Sequence, residues 1–245
     1  MIRVAAIGDQ HAGTDSVGLI EPRFADVEEH ADVLLIAGDL TRLGLPEEAE
    51  VLAGELAAVG IPKVAVLGNH DHHADRVDEV VAACESAGIR VLEGDAEVVT
   101  APDGTTLGVA GVKGFGGGFP GTSLSAFGER EMKAFVHHAE AVADALGQAL
   151  AGLGTDHRVA LLHYAPIRAT LKGEPPEIYP FLGSNLLAEA VDAVGADLIV
   201  HGHAHHGVEK GVTPGGIHVR NVAQPVIRQC YRVYCLGGSP DGLEC

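Results

Sequence analysis

Side chains that bind divalent metal ions recur directly after several apolar segments of this 245-residue chain. Each segment stops at a glycine or a histidine, and aspartate, asparagine or histidine follows within a few positions. The residues concerned are Asp9, His11, Asp39, Asn69, His163, His203 and His205. Carboxylate and amide oxygens combined with imidazole nitrogens suit ions such as Mn, Fe, Zn or Co. Seven ligands are too many for one tetrahedral site, and they fit two ions that share a carboxylate.

Taken one at a time, these motifs also have structural explanations. The D-x-H at residues 9–11 fits an ordinary loop, and the G-D at 38–39 is typical of a turn. G-N-H-D at 68–71 fits an Asx turn with an exposed histidine, and His163 fits a hydrogen-bonded core histidine. The histidine-rich residues 201–206 fit a single adventitious metal. Their joint occurrence, always after an apolar run, favours one common site.

The apolar runs that precede these side chains predict buried β-strands. They lie within residues 2–11, 32–40, 63–73, 158–166 and 197–206. Near-continuous apolar runs of this length are typical of strands that are covered on both faces. In open α/β sheets, ligands bind just beyond the carboxyl ends of the strands. The five strand ends are therefore expected to meet at one edge of the fold.

Amphipathic stretches between these strands predict helices. They cover residues 45–60, 74–88, about 125–153 and 184–195, the last with Ser184 as its N-cap. Asp103-Gly104 between two β-rich runs predicts a hairpin, and residues 216–223 and 232–238 predict closing strands. The alternation of strands and helices, combined with hairpins, predicts an α/β fold with mixed sheets. We expect one domain over residues 1–245, with a mobile tail from about residue 237.

The composition and the first residues of the chain limit the binding partners and the cellular compartment that we expect. The net charge of −18 disfavours a large nucleic-acid partner and an anionic membrane surface. No apolar run approaches the roughly 18 residues that span a bilayer, and the first residues lack the features of a signal peptide. A cytoplasmic location is expected, and with it four unpaired cysteines, none in a C-x-x-C pair.

Together the motifs resemble the calcineurin-like metallophosphoesterase family. The matching segments are D-Q-H at 9–11, G-D at 38–39, G-N-H-D at 68–71, His163 and G-H-A-H at 202–205. The resemblance implies a four-layer α/β/β/α sandwich of two mixed β-sheets flanked by helices. It also implies two divalent metal ions, with Mn expected and Fe, Zn, Ni or Co as alternatives.

The resemblance assigns a role to each matching residue. The first metal would be held by Asp9, His11 and His205, and the second by Asn69, His163 and His203. Asp39 would bridge the two ions. The family's protein phosphatases carry a second aspartate three residues after this one, whereas this chain has Thr41 and Arg42 in that region. The resemblance to Ser/Thr protein phosphatases is therefore weak.

His70 lies beside a ligand but outside the ligand set, at the position that the family uses for a general acid or for stabilising the transition state. A histidine, with an unperturbed pKa of about 6.5, suits proton donation near neutral pH. Asp71 either orients His70 or caps a turn. Lys113, Phe115, Tyr164 and Arg168 are candidate substrate contacts from nearby loops, and an ordinary packing or surface role is the alternative for each.

These residues predict a metal-dependent phosphohydrolase that acts on a phosphomonoester or phosphodiester of a small, nucleotide-like or other phosphorylated compound. One alternative is a non-catalytic, metal-bound interaction module on the same fold, which should have lost ligands or the acid. The other is a nuclease of the same superfamily, which should carry a basic or aromatic strip. With 4% aromatic residues and no tryptophan, the sequence shows no such strip.

Overall fold

The computed structural model describes residues 1–238, 243 and 245, and these residues contain eleven strands. In chain order they are β1 (Ile2–Ile7), β2 (Val33–Ala37), β3 (Lys63–Val66), β4 (Ile89–Leu92), β5 (Asp95–Thr100), β6 (Thr106–Val112), β7 (His157–Leu162), β8 (Leu198–His201), β9 (Lys210–Val212), β10 (His218–Asn221) and β11 (Arg232–Leu236). All the predicted strands are present. The short strands β4 and β9 are additions to the prediction.

Seven α-helices lie within the same part of the chain. They are α1 (Val27–His30), α2 (Pro46–Glu55), α3 (Val77–Ser86), α4 (Arg130–Ala151), α5 (Tyr179–Leu182), α6 (Asn185–Val194) and α7 (Gln224–Ile227). Short 3-10 helices cover Glu21–Arg23, His70–His72, Arg168–Leu171 and Pro176–Ile178. No helix among the described residues is long and apolar enough to cross a membrane.

The strands form two mixed sheets. The first has the order β11-β1-β2-β3-β4, in which β1 to β4 are parallel and β11 runs antiparallel to β1. The second has the order β5-β6-β7-β8-β10-β9, with β6, β7, β8 and β10 parallel and the two edge strands antiparallel. Because the metal-ligand motifs follow parallel strands, their side chains emerge at the same edge of each sheet.

Successive side chains of β7 belong alternately to two hydrophobic cores, and this shows how the layers are arranged. Val159 and Leu161 belong to the core that the second sheet shares with the first, whereas Ala160 and Leu162 pack against α4 and α6. Successive side chains of a strand point to opposite faces, so this strand is covered on both. Helices α2 and α3 contribute to the core around the first sheet. The layers are therefore helix, sheet, sheet and helix, as the resemblance implies.

Local signals in the sequence explain several element boundaries. The Ser184 hydroxyl accepts a hydrogen bond from the Leu186 N–H and caps α6 as predicted. Asp103 accepts from the Thr105 N–H in the predicted hairpin between β5 and β6. The longest helix begins at Arg130 rather than near residue 125. Gly128, at a φ of 83°, immediately precedes the first turn and has a backbone conformation that is incompatible with a helix.

The prediction of four unpaired cysteines is wrong for two of them. Cys235 and Cys245 form a disulfide, with their Cα atoms 5.3 Å apart. The Cys235 N–H donates to the Leu243 carbonyl, which brings the end of the chain back beside β11. Cys84 is buried and Cys230 is exposed, both as free thiols. The predicted mobile tail falls largely on residues 239–242 and 244, which lie outside the described residues.

Candidate metal centre and active site

The loops after β1 and β2 are joined to each other by backbone hydrogen bonds. The Asp9 N–H donates to the Gly38 carbonyl at 3.0 Å, and the His11 N–H donates to the Asp39 carbonyl at 2.9 Å. The second sheet is tied to the same edge through His163, whose Nδ1 lies 2.9 Å from the Ala37 carbonyl oxygen. The strand ends of both sheets thus meet at a single place.

All seven predicted ligands lie at this meeting point. Their donor atoms form groups in which every atom is within 4.8 Å of the others, namely Asp9, His11 and His205 in one group and Asp39, His163 and His203 in another. Asn69 joins the second group, because its Oδ1 lies 3.0 Å from His163 Nε2. These two groups are compatible with the sets that the resemblance implies, and a third group brings His11 and Asp39 together with His70.

Asp39 lies between the two groups. One carboxylate oxygen is 3.3 Å from His163 Nε2, and the other is 3.7 Å from His11 Nε2. The residue is 1% exposed, and the His70 N–H donates to its Oδ1 at 2.9 Å. A carboxylate with one oxygen toward each group has the position that a bridging ligand needs.

The backbone of the site is in a conformation that L-amino acids rarely adopt. Six non-glycine residues of the described chain have a positive φ, and four of them are candidate ligands, namely Asp9, His11, Asp39 and His203. A left-handed conformation at a non-glycine residue costs of the order of 1–3 kcal/mol and persists only where the surroundings enforce it. The concentration of these residues at one edge supports a functional origin for the conformation.

Two glycines allow the buried carboxylates to approach neighbouring backbone closely. A Cβ at Gly68 would lie 2.0 Å from Asp39 Oδ1, and a Cβ at Gly202 would lie 2.5 Å from Asp9 Oδ2. Both distances are far below van der Waals contact. The glycines of G-N-H-D and G-H-A-H therefore provide the space that Asp39 and Asp9 occupy.

Hydrogen bonds and charge stabilise the ionised form of Asp9. Burial raises its pKa, but the hydrogen bond from His205 Nε2 at 2.9 Å and the nearby histidines outweigh this effect, so the pKa is lowered overall. The same contact raises the pKa of His205. Burial lowers the pKa of His203 to about 3, which keeps this imidazole neutral. An ionised carboxylate beside a neutral imidazole is in the state required for metal binding.

His70 borders the same site, and its ring centroid is 4.5 Å from that of His11. Its Nδ1 lies 2.8 Å from the Arg42 carbonyl oxygen. A carbonyl only accepts hydrogen bonds, so this contact places the proton on Nδ1 and leaves Nε2 available to a ligand. His70 also falls within metal-binding distance of His11 and Asp39.

Asp71 is fully buried and binds backbone and hydroxyl donors. Its carboxylate accepts hydrogen bonds from the N–H groups of Leu40, Thr41 and Gly68 at 3.1, 2.8 and 2.7 Å and from the Thr41 hydroxyl at 2.6 Å. These contacts fit the interpretation in which Asp71 caps a turn. The contact that orients the His70 ring comes from Arg42 instead.

The four candidate substrate contacts separate into two places. Lys113, Phe115 and Tyr164 line a cavity beside Asn69. Arg168 lies in a 3-10 helix, 5.4 Å from the centroid of the Tyr179 ring, and lines a different cavity.

Sequence reasoning missed Glu93 and His138 as residues of the first cavity. His72, expected to face solvent or the rim of the pocket, also lines it. Glu93 follows β4 directly, so recognition of that short strand would have revealed a further polar residue at a strand end. His138 lies on α4, and its helical position in the sequence carries no comparable signal.

The donor set fits divalent metal ions. Buried carboxylates, an amide oxygen and imidazoles converge there, and nitrogen and oxygen ligands of this kind suit the borderline transition metals.

Comparison with known proteins identifies the fold and the family. A family model described as calcineurin-like phosphoesterase matches residues 2–207. No curated protein matches the sequence significantly. Among solved structures, the phosphopantetheinyl hydrolase of Mycobacterium tuberculosis is 19% identical, with coverage of 97% of this chain and 96% of the other and a TM-score of 0.66.

Two other structures have the same fold at low sequence identity. TT1561 of Thermus thermophilus is 17% identical, with 90% and 88% coverage and a TM-score of 0.57. A putative 5'-nucleotidase from Staphylococcus aureus is 15% identical, with a TM-score of 0.56 over 90% of this chain and 48% of that protein. At such identities the likeness concerns the fold alone. The family model covers most of the sequence and all seven candidate ligands, and the chain therefore belongs to the calcineurin-like phosphoesterase family.

Proposed function

We propose that this protein hydrolyses a phosphomonoester or phosphodiester of a small phosphorylated compound with the help of two divalent metal ions. The observation that carries the proposal is the convergence of six candidate ligand side chains around the buried Asp39, which is the seventh. A family member that serves only as a binding module would not need to retain all of them together with His70.

The residues divide into two ligand sets and one proton donor. Asp9, His11 and His205 would hold one ion, Asn69, His163 and His203 would hold the other, and Asp39 would serve both. When bound, such a pair of cations neutralises phosphoryl oxygens and activates water as the nucleophile.

His70 supplies the proton that the departing alkoxide needs. With Nδ1 held by the Arg42 carbonyl, the protonated ring donates from Nε2 toward the site. Asp71 keeps the loop after β2 and the turn at Gly68 together, so that Asp39 and His70 stay in place.

The substrate is a small phosphoester. Proteins with a similar fold include one named as a phosphopantetheinyl hydrolase and one named as a putative 5'-nucleotidase. Both names are consistent with a substrate that is a phosphorylated organic molecule of limited size. The net charge of −18 disfavours a polynucleotide, so the nuclease alternative is less well supported. Manganese is the ion with which we would test activity first.

The test uses protein stripped with a chelator and reloaded with Mn²⁺. Turnover of p-nitrophenyl phosphate and of bis-p-nitrophenyl phosphate is compared for the wild type, Asp39→Asn and His70→Ala. Exposed residues of the same types serve as controls, through Asp144→Asn on α4 and His30→Ala on α1.

We expect activity that requires metal, is lost in Asp39→Asn and falls by about 10²-fold or more in His70→Ala. Both control variants should match the wild type. Protein that binds no metal, or that turns over equally well after Asp39→Asn, would contradict the proposal.

A further inference from the structure

A cavity of about 750 Å³ lies directly beside the candidate metal centre. Its walls come from both halves of the fold, with α3 and β4 on one side and α4 and the loop after β6 on the other. Asn69 belongs both to the cavity wall and to the ligand set. Tyr164, on the wall, has its ring centroid 4.4 Å from that of His203. A phosphoryl group at the metals therefore has this cavity as its immediate neighbour.

Most of the cavity wall is hydrocarbon. The apolar and aromatic side chains that line it are Leu67, Val77, Val81, Val91, Phe115 and Tyr164. Ligand sites of a few hundred cubic ångströms with mainly apolar walls and a few polar groups are typical of small organic molecules. A short polar alcohol would leave these walls facing water, whereas an apolar ring would cover them.

Lys113 is the cation of this cavity. It is 9% exposed, and its ammonium nitrogen lies 5.1 Å from the centroid of Phe115 and 5.5 Å from that of Tyr164. Among the described residues, no side-chain or backbone oxygen accepts a hydrogen bond from this nitrogen. The three donors of this ammonium are thus free to meet a ligand, although the residue as a whole is buried.

The backbone fixes Lys113 between the metal centre and the cavity. Its carbonyl accepts hydrogen bonds from the N–H groups of His163 and Tyr164, both at 3.0 Å. Its N–H donates to Glu93 Oε2 at 3.2 Å. An anionic ligand group bound at this boundary would have the Lys113 side chain beside it.

We propose that this cavity binds the organic group of the substrate and that Lys113 contacts its phosphoryl group. The preferred substrates are then phosphoesters of an aromatic or similarly apolar ring rather than esters of short polar alcohols. The inference rests on the proposed phosphoesterase function and extends it to the substrate class.

The test measures binding of two phosphonates to the Mn²⁺-loaded protein by isothermal titration calorimetry. Phenylphosphonate and methylphosphonate carry the same anionic group, and their C–P bonds are not expected to be cleaved. We expect phenylphosphonate to bind about tenfold or more tightly, since the cavity covers the ring. Val81→Phe, which fills the cavity from α3, should remove this preference and leave methylphosphonate binding unchanged. Val98→Phe adds the same ring at a position on β5 that is 51% exposed, and it serves as the control.

Lys113 is tested with Lys113→Met, which keeps a similar side-chain length without the charge. We expect this variant to weaken both phosphonates about tenfold and to preserve the ratio between them. Lys133→Met, at an exposed position of α4, should weaken neither. If Val81→Phe does not fold, as judged by its thermal melt, Val77→Phe fills the same cavity.

The possible failures are distinguishable. Equal binding of the two phosphonates by the wild type, or a preference that survives filling of the cavity, would overturn the inference and leave the hydrolase proposal standing. Unchanged affinities in Lys113→Met would overturn the role of Lys113. Absence of binding of either phosphonate to the metal-loaded protein would overturn both proposals.

Discussion

Replacement of Gly68 by alanine should displace Asp39 and disrupt the metal centre. The added Cβ would lie 2.0 Å from Asp39 Oδ1 and 2.2 Å from Asp39 N, whereas ordinary contact begins at 3.4 Å. The carboxylate and its backbone would therefore have to move apart from residue 68 by more than about 1 Å, a displacement that is large for a bridging ligand. The Gly68 N–H also donates to Asp71 Oδ2 at 2.7 Å, so the turn cannot move without loss of that bond.

The expected loss of stability in Gly68→Ala follows from overpacking in a buried region. Forced insertion of a methyl group costs about 1–3 kcal/mol, which corresponds to roughly 2–12 °C in Tm for a chain of this size. The metal-stripped Gly68→Ala protein should melt lower by this amount. Titration with Mn²⁺ should show the loss of at least one of the two ions, because Asp39 contacts both groups of ligands.

Gly54→Ala is the matched control. Gly54 is exposed within α2, and a Cβ there meets nothing within 4 Å. The same substitution should stabilise the protein by roughly 0.5–1 kcal/mol, since alanine favours the helix, and leave metal binding unchanged. Wild-type Tm and two bound ions in Gly68→Ala would refute the argument that this glycine makes room for Asp39.

Three further outcomes follow from the structure. Asp71→Asn should destabilise the protein by about 3 kcal/mol in urea unfolding, since an amide cannot accept all the hydrogen bonds that the buried carboxylate accepts; a change below about 1 kcal/mol would contradict this. Burial raises the pKa of Cys84 to about 12, so a thiol reagent should label the exposed Cys230 alone in native protein and both thiols after denaturation. Apparent Mn²⁺ affinity should fall as the pH falls from about 8 toward 6, because the raised pKa of His205 means that the metal must displace a proton; an affinity independent of pH over this range would show that His205 is not a ligand.

The candidate site was predictable because its signals are local. Each ligand follows an apolar run within a few residues, and the parallel arrangement of β1, β2 and β3 brings the ends of such runs to one edge. The sequence shows both the residue types and their positions relative to a strand end. Neither signal depends on contacts between distant segments.

The cavity depends on such contacts and was only partly predictable. Its walls combine residues from α3, β4, α4 and the loops after β6 and β7, which are far apart in the sequence. Lys113 and Tyr164 could be suspected from their closeness to strand ends. Arg168 follows the same strand as Tyr164, but its 3-10 helix carries it to the ring of Tyr179 instead. The disulfide was missed for a different reason. Cys235 and Cys245 are only ten residues apart, but the expected cytoplasmic location predicted unpaired cysteines.

Hydrogen bonds within the fold accompany the left-handed backbone at three of the candidate ligands. Asp9, His11 and His203 have φ values of 60°, 44° and 68°, each costing of the order of 1–3 kcal/mol for a residue other than glycine. Protein groups enforce these conformations. The N–H of Asp9 donates to the Gly38 carbonyl, that of His11 donates to the Asp39 carbonyl, and that of His203 lies 3.1 Å from both Asp9 carboxylate oxygens. The first two bonds join the ends of β1 and β2 within the first sheet, whereas the third joins the end of β8 in the second sheet to the end of β1, so only the conformation of His203 depends on the packing of the two sheets. The conformations of these candidate ligands therefore depend on hydrogen bonds between strand ends, and loss of one of these bonds should displace the side chain that it holds.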